Sequence, residues 1–337
     1  MDIAQRAGIS QMTVSSVLRG KGGASRETAE RIFNIARELG YRPNLAARAT
    51  VTGRFNCIGL ILSTEEKLSN TSRKLLDGIS LVLSDAGLHL AMAVTPDQKL
   101  QDENFVPTIL QTCMCDGLLI NYTHHIPPTM RDLIDRYHIP SIWINSRQST
   151  NCVYPDDLQG ARALTRHLIG MGHKRIVYVD LVNFLTFNDK HYSAIDRQQG
   201  YIQAMTAADL KPRVVELLSA TDSRLQIAHH LLSGPERPSA IICYGKTDAL
   251  AVLCAAQSLG MQCPRDFSLA SFDHSPITLL DWQITTAIVP DRQVGRLATQ
   301  MLLDSIQDPQ LTHEPTAVSM TLDAGQTCIP NGSSAGY

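Results

Sequence analysis

Between Cys57 and Phe272 the chain alternates short β-rich apolar runs with amphipathic stretches, and it does so in two series. The first series of runs is Cys57 to Leu62, His89 to Val94, Gly117 to Ile120 and Ser141 to Asn145. The second is Arg175 to Asp180, Ala240 to Tyr244 and Ser268 to Phe272. Between the runs apolar residues recur at helical spacing, as in Leu75, Leu76, Ile79, Val82 and Leu83, or Leu164 and Leu168. Continuous apolar runs are buried on both faces, and strands joined through helices lie parallel. The pattern predicts two doubly wound α/β lobes with parallel sheets. Ligands of such sheets sit beyond the carboxyl ends of the strands. Ser63, Asn145, Gly245, Lys246 and Asp273 stand there. Each alone is ordinary turn chemistry; as a set they mark a candidate cleft.

The first 55 residues read differently. Ile3, Ala4 and Ala7 share one helical face, and Gly8 follows where the chain must turn sharply. Ser10 is placed to cap a second helix, in which Val14, Val17 and Leu18 point inward and Gln11, Met12, Ser15 and Ser16 point out. After the loop Gly20-Lys21-Gly22-Gly23, Ser25 caps a third helix with the stripe Ala29, Ile32, Phe33, Ala36 and Leu39, and Gly40 ends it. A helix, a tight turn and a capped second helix make a helix-turn-helix pattern, whose second helix fits a major groove. A plain three-helix bundle with a basic face is the competing reading. Charge separates this head from the rest. Through residue 55 there are nine Lys or Arg, Arg19 among them, against four acids. The head is thus +5, and the remainder of a chain of net charge -2 is -7. A basic head on an acidic body is expected to meet a polyanion through the head alone. Next, Tyr41-Arg42-Pro43-Asn44 breaks the helix, and Asn44 can cap a segment from Leu45 to Val51, too short to be stably helical without a partner.

The motifs then become specific. Ala4-x-x-Ala7-Gly8-Ile9-Ser10-x-x-Thr13-Val14-Ser15, Ser25-x-x-Thr28, Glu38-Leu39-Gly40-Tyr41-Arg42-Pro43-Asn44, Ala47-Arg48 and Thr52-Gly53-Arg54 resemble, without a gap, the head and hinge of the lactose-repressor/galactose-repressor (LacI/GalR) family. Farther on, Gly172-His173-Lys174-Arg175-Ile176, Arg197-x-x-Gly200-Tyr201 and Phe272-Asp273 resemble signatures of the same family, so the resemblance reaches about residue 330. It implies a helix-turn-helix head (1–43), a hinge helix and linker (44–55), and two lobes of the type I periplasmic-binding-protein kind. The first lobe would take residues 56–155 and 288–316, the second 156–287 and 317–330, with a polar tail at 331–337. It further implies a dimeric repressor that meets operator DNA through Ser10, Gln11, Met12, Thr13, Ser15, Ser16, Arg19, Ser25, Asn44, Ala47, Arg48, Thr50 and Val51. An effector would be held by Ser63, Asn145, Phe184, Arg197, Gly245, Lys246 and Asp273.

Departures from the family pattern colour this expectation. Ser16 stands where the family commonly has Arg, and Thr50 where a leucine usually wedges into the minor groove, so a shallower DNA kink is expected. Gly245-Lys246 replace Asn-Asp, Asn145 replaces Asp and Val289 replaces Gln. Arg197 together with Lys246 would favour an anionic sugar derivative. The segment from Leu181 to Ile195 is long and aromatic (Phe184, Phe187, Tyr192), fit to stack on a sugar or merely to pad the lobe.

Other classes fit less well. No apolar run approaches the roughly 20 residues of a membrane span, and the start lacks a charged-then-apolar signal, so a cytoplasmic protein is expected. The eight cysteines show no disulfide framework and read as reduced thiols. His124-His125 and His229-His230 are adjacent pairs that diverge on a helix and are expected to bind no metal. A transport receptor would leave the basic head without a role. A nucleotide-using enzyme would need a GxGxxG after a strand or a GxxxxGK[ST], and neither occurs. No enzyme activity and no cofactor are expected.

Overall fold

The computed structural model describes residues 3–18, 23–41, 53–63, 71–95, 102, 108–111, 114–121, 128–181, 190–217, 219, 222–279 and 282–332. The chain divides into two compact units, Met1–Phe55 and Asn56–Tyr337.

The first unit holds α1 (Ile3–Ala7), α2 (Gln11–Leu18) and α3 (Arg26–Glu38). Ile3, Ala4, Ala7, Val14, Val17, Ile32 and Ala36 form its core. Gly8 takes φ +66° at the turn, which favours a residue without Cβ. The Ser10 hydroxyl accepts from Thr13 N (3.1 Å) and the Ser25 hydroxyl from Thr28 N (3.2 Å), so both expected caps form. One inward assignment is corrected: Phe33 is 46% exposed. It neighbours Ile32 in sequence and so points about 100° away, and half-buried Ile35 packs against the core instead.

In the second unit, β1 (Cys57–Ser63), β2 (His89–Thr95), β3 (Gly117–Asn121), β4 (Ser141–Ile144), β5 (Cys152–Pro155) and β12 (Thr316–Val318) form a parallel sheet in the order β12-β5-β4-β3-β1-β2. One face buries Ile58, Leu60, Leu119, Ile142 and Val153 under α4 (Arg73–Asp85) and the long helix Asp291–Gln307. The other buries Ile61, Leu118, Ile120 and Trp143 under Met130 and Ile134 of the helix Pro128–Arg136. Burial of both alternating sets is why these strands read as unbroken apolar runs.

The second sheet follows the order β10-β11-β9-β8-β6-β7 through β10 (Ile277–Leu279), β11 (Trp282–Ile288), β9 (Ser268–Asp273), β8 (Ala240–Cys243), β6 (Ile176–Asp180) and β7 (Val214–Glu216). It is parallel except where β10 and β13 (Thr321–Asp323) pair antiparallel with β11. The Arg-x-x-Gly-Tyr motif has a packing reason here. A Cβ on Gly200 would lie 2.3 Å from Leu158 O, so only glycine lets the helices Asp157–Gly170 and Tyr192–Ala207 approach this closely. The Tyr201 hydroxyl donates to Ile176 O (2.8 Å) and accepts from Arg213 N (2.8 Å). His173 of the Gly-His motif, buried, lies 3.1 Å from Ser239 Oγ and donates to Ile329 O (3.0 Å).

Six strands, β5, β7, β10, β11, β12 and β13, were not expected from sequence. Because Thr316–Val318 pairs with β5, the chain leaves the first sheet after Val318, two residues beyond the expected boundary. Helix Tyr192–Ala207 also takes over part of the segment read as a loop from Leu181 to Ile195.

Candidate functional site

The carboxyl ends of the two sheets are tied to each other by polar contacts. Asn145, just past β4, takes φ +53°, a conformation that Asn tolerates. Its carbonyl accepts from His191 Nε2 (3.0 Å), and its amide donates to Asn121 Oδ1 (3.3 Å). Two residues on, Arg147 grips Asp196 with both terminal nitrogens, at 3.2 and 2.5 Å, and its guanidinium lies 5.4 Å from the rings of Tyr154 and Tyr192. His274, after β9, and Asp291, at the head of the helix packed on the first sheet, are 2.7 Å apart. These contacts place the polar ends of both sheets around one interlobe site.

Arg197 is the buried cation of that site. Its Nε donates to Asp157 Oδ1 (2.6 Å) and its Nη1 to Tyr244 O (2.9 Å), and it is sandwiched by the rings of Tyr244 (4.7 Å) and Phe272 (4.5 Å). Burial works against its charge, but Asp157 and the Tyr244 and Tyr178 phenols outweigh that, so its pKa rises. Burial also pushes Asp157 up, against the pull of Arg197. The governing direction is that of the guanidinium, which keeps its proton and needs a carboxylate at 2.6 Å as counter-charge. Burial, then the nearby Asp157, holds the Tyr192 phenol protonated. The Ser193 hydroxyl lies 2.9 Å from the Tyr244 hydroxyl.

Further carboxyls line the second sheet's end. Asp180 closes β6 and is buried. Asp248, fully buried in the first turn of the helix Lys246–Ser258, accepts from Leu181 N (3.3 Å). Burial, then the neighbouring Asp180, lifts it to about 7, while the Leu181 bond pulls the other way.

Of the expected effector residues, Ser63, Asn145, Arg197, Gly245 and Asp273 lie at strand ends or on the helix facing them, while Phe184 lies outside the described residues. The Asp273 carboxylate accepts from His274 N (2.6 Å). Lys246 opens the helix after β8. Its side chain is exposed at the start of its helix, and Arg197 is already matched by Asp157. Sequence reading missed Asp157, Arg147, Asp196, Asn121, Asp180 and Asp248. The one available signal was Asp156-Asp157 directly after a Pro, where a helix cap is common.

On the head, Gln11 and Met12 are exposed, Met12 to 81%, and Thr13, Ser15 and Ser16 are half-buried along the same helix. Ser10 and Ser25 are exposed caps. Arg19, Asn44, Ala47, Arg48, Thr50 and Val51 lie outside the described residues. Among the described residues no His/Cys/Asp/Glu group could hold a metal ion, and His229 and His230 are both exposed. None of the described helices is long and apolar enough to cross a membrane.

Comparison with known proteins places this geometry. Residues 1–44 match the lacI family of bacterial regulatory proteins, and residues 165–328 match a periplasmic binding protein-like domain. The HTH-type transcriptional repressor PurR of Escherichia coli O139:H28 is 26% identical over 327 residues, covering 95% of this chain and 93% of its own. The protein of the same name from Vibrio vulnificus is 24% identical over 319 residues, covering 92% of each. The lac repressor dimer bound to operator and the anti-inducer ONPF shares the fold, with a TM-score of 0.78 at 20% identity, covering 97% of this chain and 98% of that one. With its helix-turn-helix head and its paired parallel-sheet lobes, the chain belongs to the LacI/GalR family of bacterial regulatory proteins.

Proposed function

We propose that this protein is a DNA-binding transcriptional repressor that engages a near-palindromic operator as a dimer and is gated by a small molecule held between its lobes. The observation that carries the reading is the head. A capped eight-residue helix, Gln11–Leu18, buries Val14 and Val17 and turns Gln11 and Met12 outward, in a segment of net charge +5. Short polar side chains on such a helix read base edges, and the surrounding Arg residues neutralise phosphates. The relatives named as transcriptional repressors support it.

Dimerisation is supported by the edge of the first sheet. Strand His89–Thr95 ends that sheet and exposes Met92 (50%) and Val94 (56%), with Leu81 (45%) on the nearby helix. A bare apolar edge invites a second copy. For the effector, the cleft's chemistry favours a neutral polyhydroxylated molecule such as a sugar, and hence control of carbohydrate use. Carboxylates and amides accept from and donate to hydroxyls, and the partly exposed Tyr rings suit an apolar sugar face. Effector closure of the lobes would bias the DNA-bound and free states.

The test is binding to operator-like duplexes at increasing salt. A repressor gives a shift whose affinity falls with a logarithmic slope of about -0.9 per phosphate contact. A sugar receptor without DNA function gives no shift at any salt, which would overturn the reading. A thermal-shift screen of sugars then identifies the effector, since a ligand at 100 times its Kd adds about 2.7 kcal/mol.

A further inference from the structure

Two sulfurs meet at the other end of the first sheet, away from the cleft. Cys57 is the first residue of β1, and Cys115 lies two residues before β3, which pairs with β1. Asp116 N donates to Cys57 O (2.8 Å), so the two backbones are hydrogen-bonded neighbours where the cysteines stand. The Cys115 thiol donates to Cys57 Sγ, with 3.9 Å between the sulfurs, and the Cys57 thiol donates to Ile58 O at 3.8 Å. Gly59 makes the room. It lies on the same side of β1 as Cys57, and a Cβ there would sit 3.2 Å from Cys115 Sγ. Both thiols are half-buried, so small molecules reach them, whereas Cys152, Cys243 and Cys328 are buried.

We propose that Cys57 and Cys115 form an oxidation-sensitive pair that closes to an intramolecular disulfide when the protein meets a low-molecular-weight disulfide. The backbones adjoin through the Asp116 N to Cys57 O bond, and the sulfurs need to approach by about 2 Å to reach bonding distance. The hydrogen bond sets the order. Cys57 accepts the Cys115 S–H, so Cys57 is the sulfur free to attack first. Burial and the adjacent Cys57 push Cys115 up to about 12, so it keeps its proton and remains the donor in this first step. Cys57 loses its proton to solvent and attacks one sulfur of the reagent; the reagent's S–S bond breaks and one thiolate leaves and is protonated. Cys115 then loses its proton and attacks the Cys57 sulfur of the mixed disulfide, expelling the second thiol. Two protein thiols are oxidised and one small disulfide is reduced to two thiols, so electrons and protons balance. The chain passes from the head unit into the body two residues before Cys57, so the cross-link would tie the body's entry strand to the segment leading into β3.

The experiment uses the full chain carrying Cys113→Ser, incubated with oxidised glutathione, blocked with an alkylating maleimide and mapped by peptide mass spectrometry. The expected result is a Cys57–Cys115 linked peptide that dithiothreitol removes, with both residues lost from the alkylated pool. In Cys115→Ser the reaction should halt as a glutathione adduct on Cys57. The proposal is overturned if Cys57 and Cys115 remain alkylated while exposed Cys254 takes up glutathione, or if either pairs with another cysteine instead.

Discussion

Arg147 and Asp196, 49 residues apart in sequence, form a two-pronged ion pair that joins the loop after β4 to the helix Tyr192–Ala207 on the other lobe. The carboxylate is buried (5% exposed) and the guanidinium is 45% exposed, so solvent screens the pair from one side. Such a pair is worth about 1 kcal/mol rather than the several expected of a dry one. Arg147→Met keeps the apolar stem against Tyr154 and removes the grip. Amide exchange in residues 145–151 and at the start of that helix should then speed up roughly fivefold, as an opening easier by that energy requires. Unchanged exchange would mean that the pair does not hold the lobes together.

Arg197 and Asp157 behave differently because both are buried, with side chains 10% and 1% exposed. Taking away one member strands the other charge in a dry site, at a cost of about 3 kcal/mol. Asp157→Asn should lower the urea midpoint accordingly. The double variant Asp157→Leu/Arg197→Met, which removes both charges, should recover much of the loss. Equal destabilisation by the single and the double variant would show that the pair is not electrostatically coupled. It follows that Arg197→Ala weakens the lobe as well as any effector contact, so an effector assay on that variant needs a melting curve beside it.

This pair also marks how far the sequence could be read. Cys57–Ser63 and Ser268–Asp273 were legible, since they bury both faces and leave unbroken apolar runs, whereas the alternation of polar and apolar residues in Trp282–Ile288 hid that strand. Strands of three residues, such as Val214–Glu216 and Thr316–Val318, are too short to show a period. Arg197 was legible through its spacing to Gly200 and Tyr201. Asp157 was not, because its meeting with Arg197 depends on two helices brought together where Gly200 faces Leu158 O. Phe33 misled because apolar character alone does not say which side of a helix is covered.

Asp248 should make stability depend on pH near neutrality. Its ordinary value of 3.8 is raised to about 7, first by burial and then by Asp180, with the Leu181 N–H and Arg224 opposing. Between about pH 4 and 7 the folded chain therefore holds a proton that the unfolded chain has released. Stability falls with rising pH across that window, by up to about 1.4 kcal/mol per unit at this site, and levels off above it. Asp248→Asn keeps the shape without the titration. Its Tm should vary less between pH 5 and 8 than that of the parent protein, and it should be the more stable of the two at pH 8. Parallel curves would remove Asp248 from the account.

Gly295 tests the packing that carries the first lobe. It lies on the helix Asp291–Gln307, which comes from the far end of the chain to cover the same sheet face as the helix Arg73–Asp85. A Cβ on Gly295 would stand 2.4 Å from Leu75 O, and one on Gly78 would stand 2.2 Å from Arg292 O, so two glycines let the backbones touch from both sides. Backbone carbonyls cannot swing away as a side-chain tip can. Gly295→Ala must therefore push the helices apart and loosen Val294, Ala298 and Leu302 from the sheet, which outweighs the roughly 1 kcal/mol of helix propensity that alanine adds. The expected outcome is a net loss of about 1–3 kcal/mol in urea unfolding, confined to the 56–337 unit, with the head's own fold unaltered by circular dichroism of the isolated change. Gly87→Ala is the comparison: that residue has φ +66° with nothing within 4 Å of its Cβ, so it should cost only the left-handed backbone strain of about 1 kcal/mol. A Gly295 variant no weaker than Gly87→Ala would mean that the two helices are free to separate at little cost.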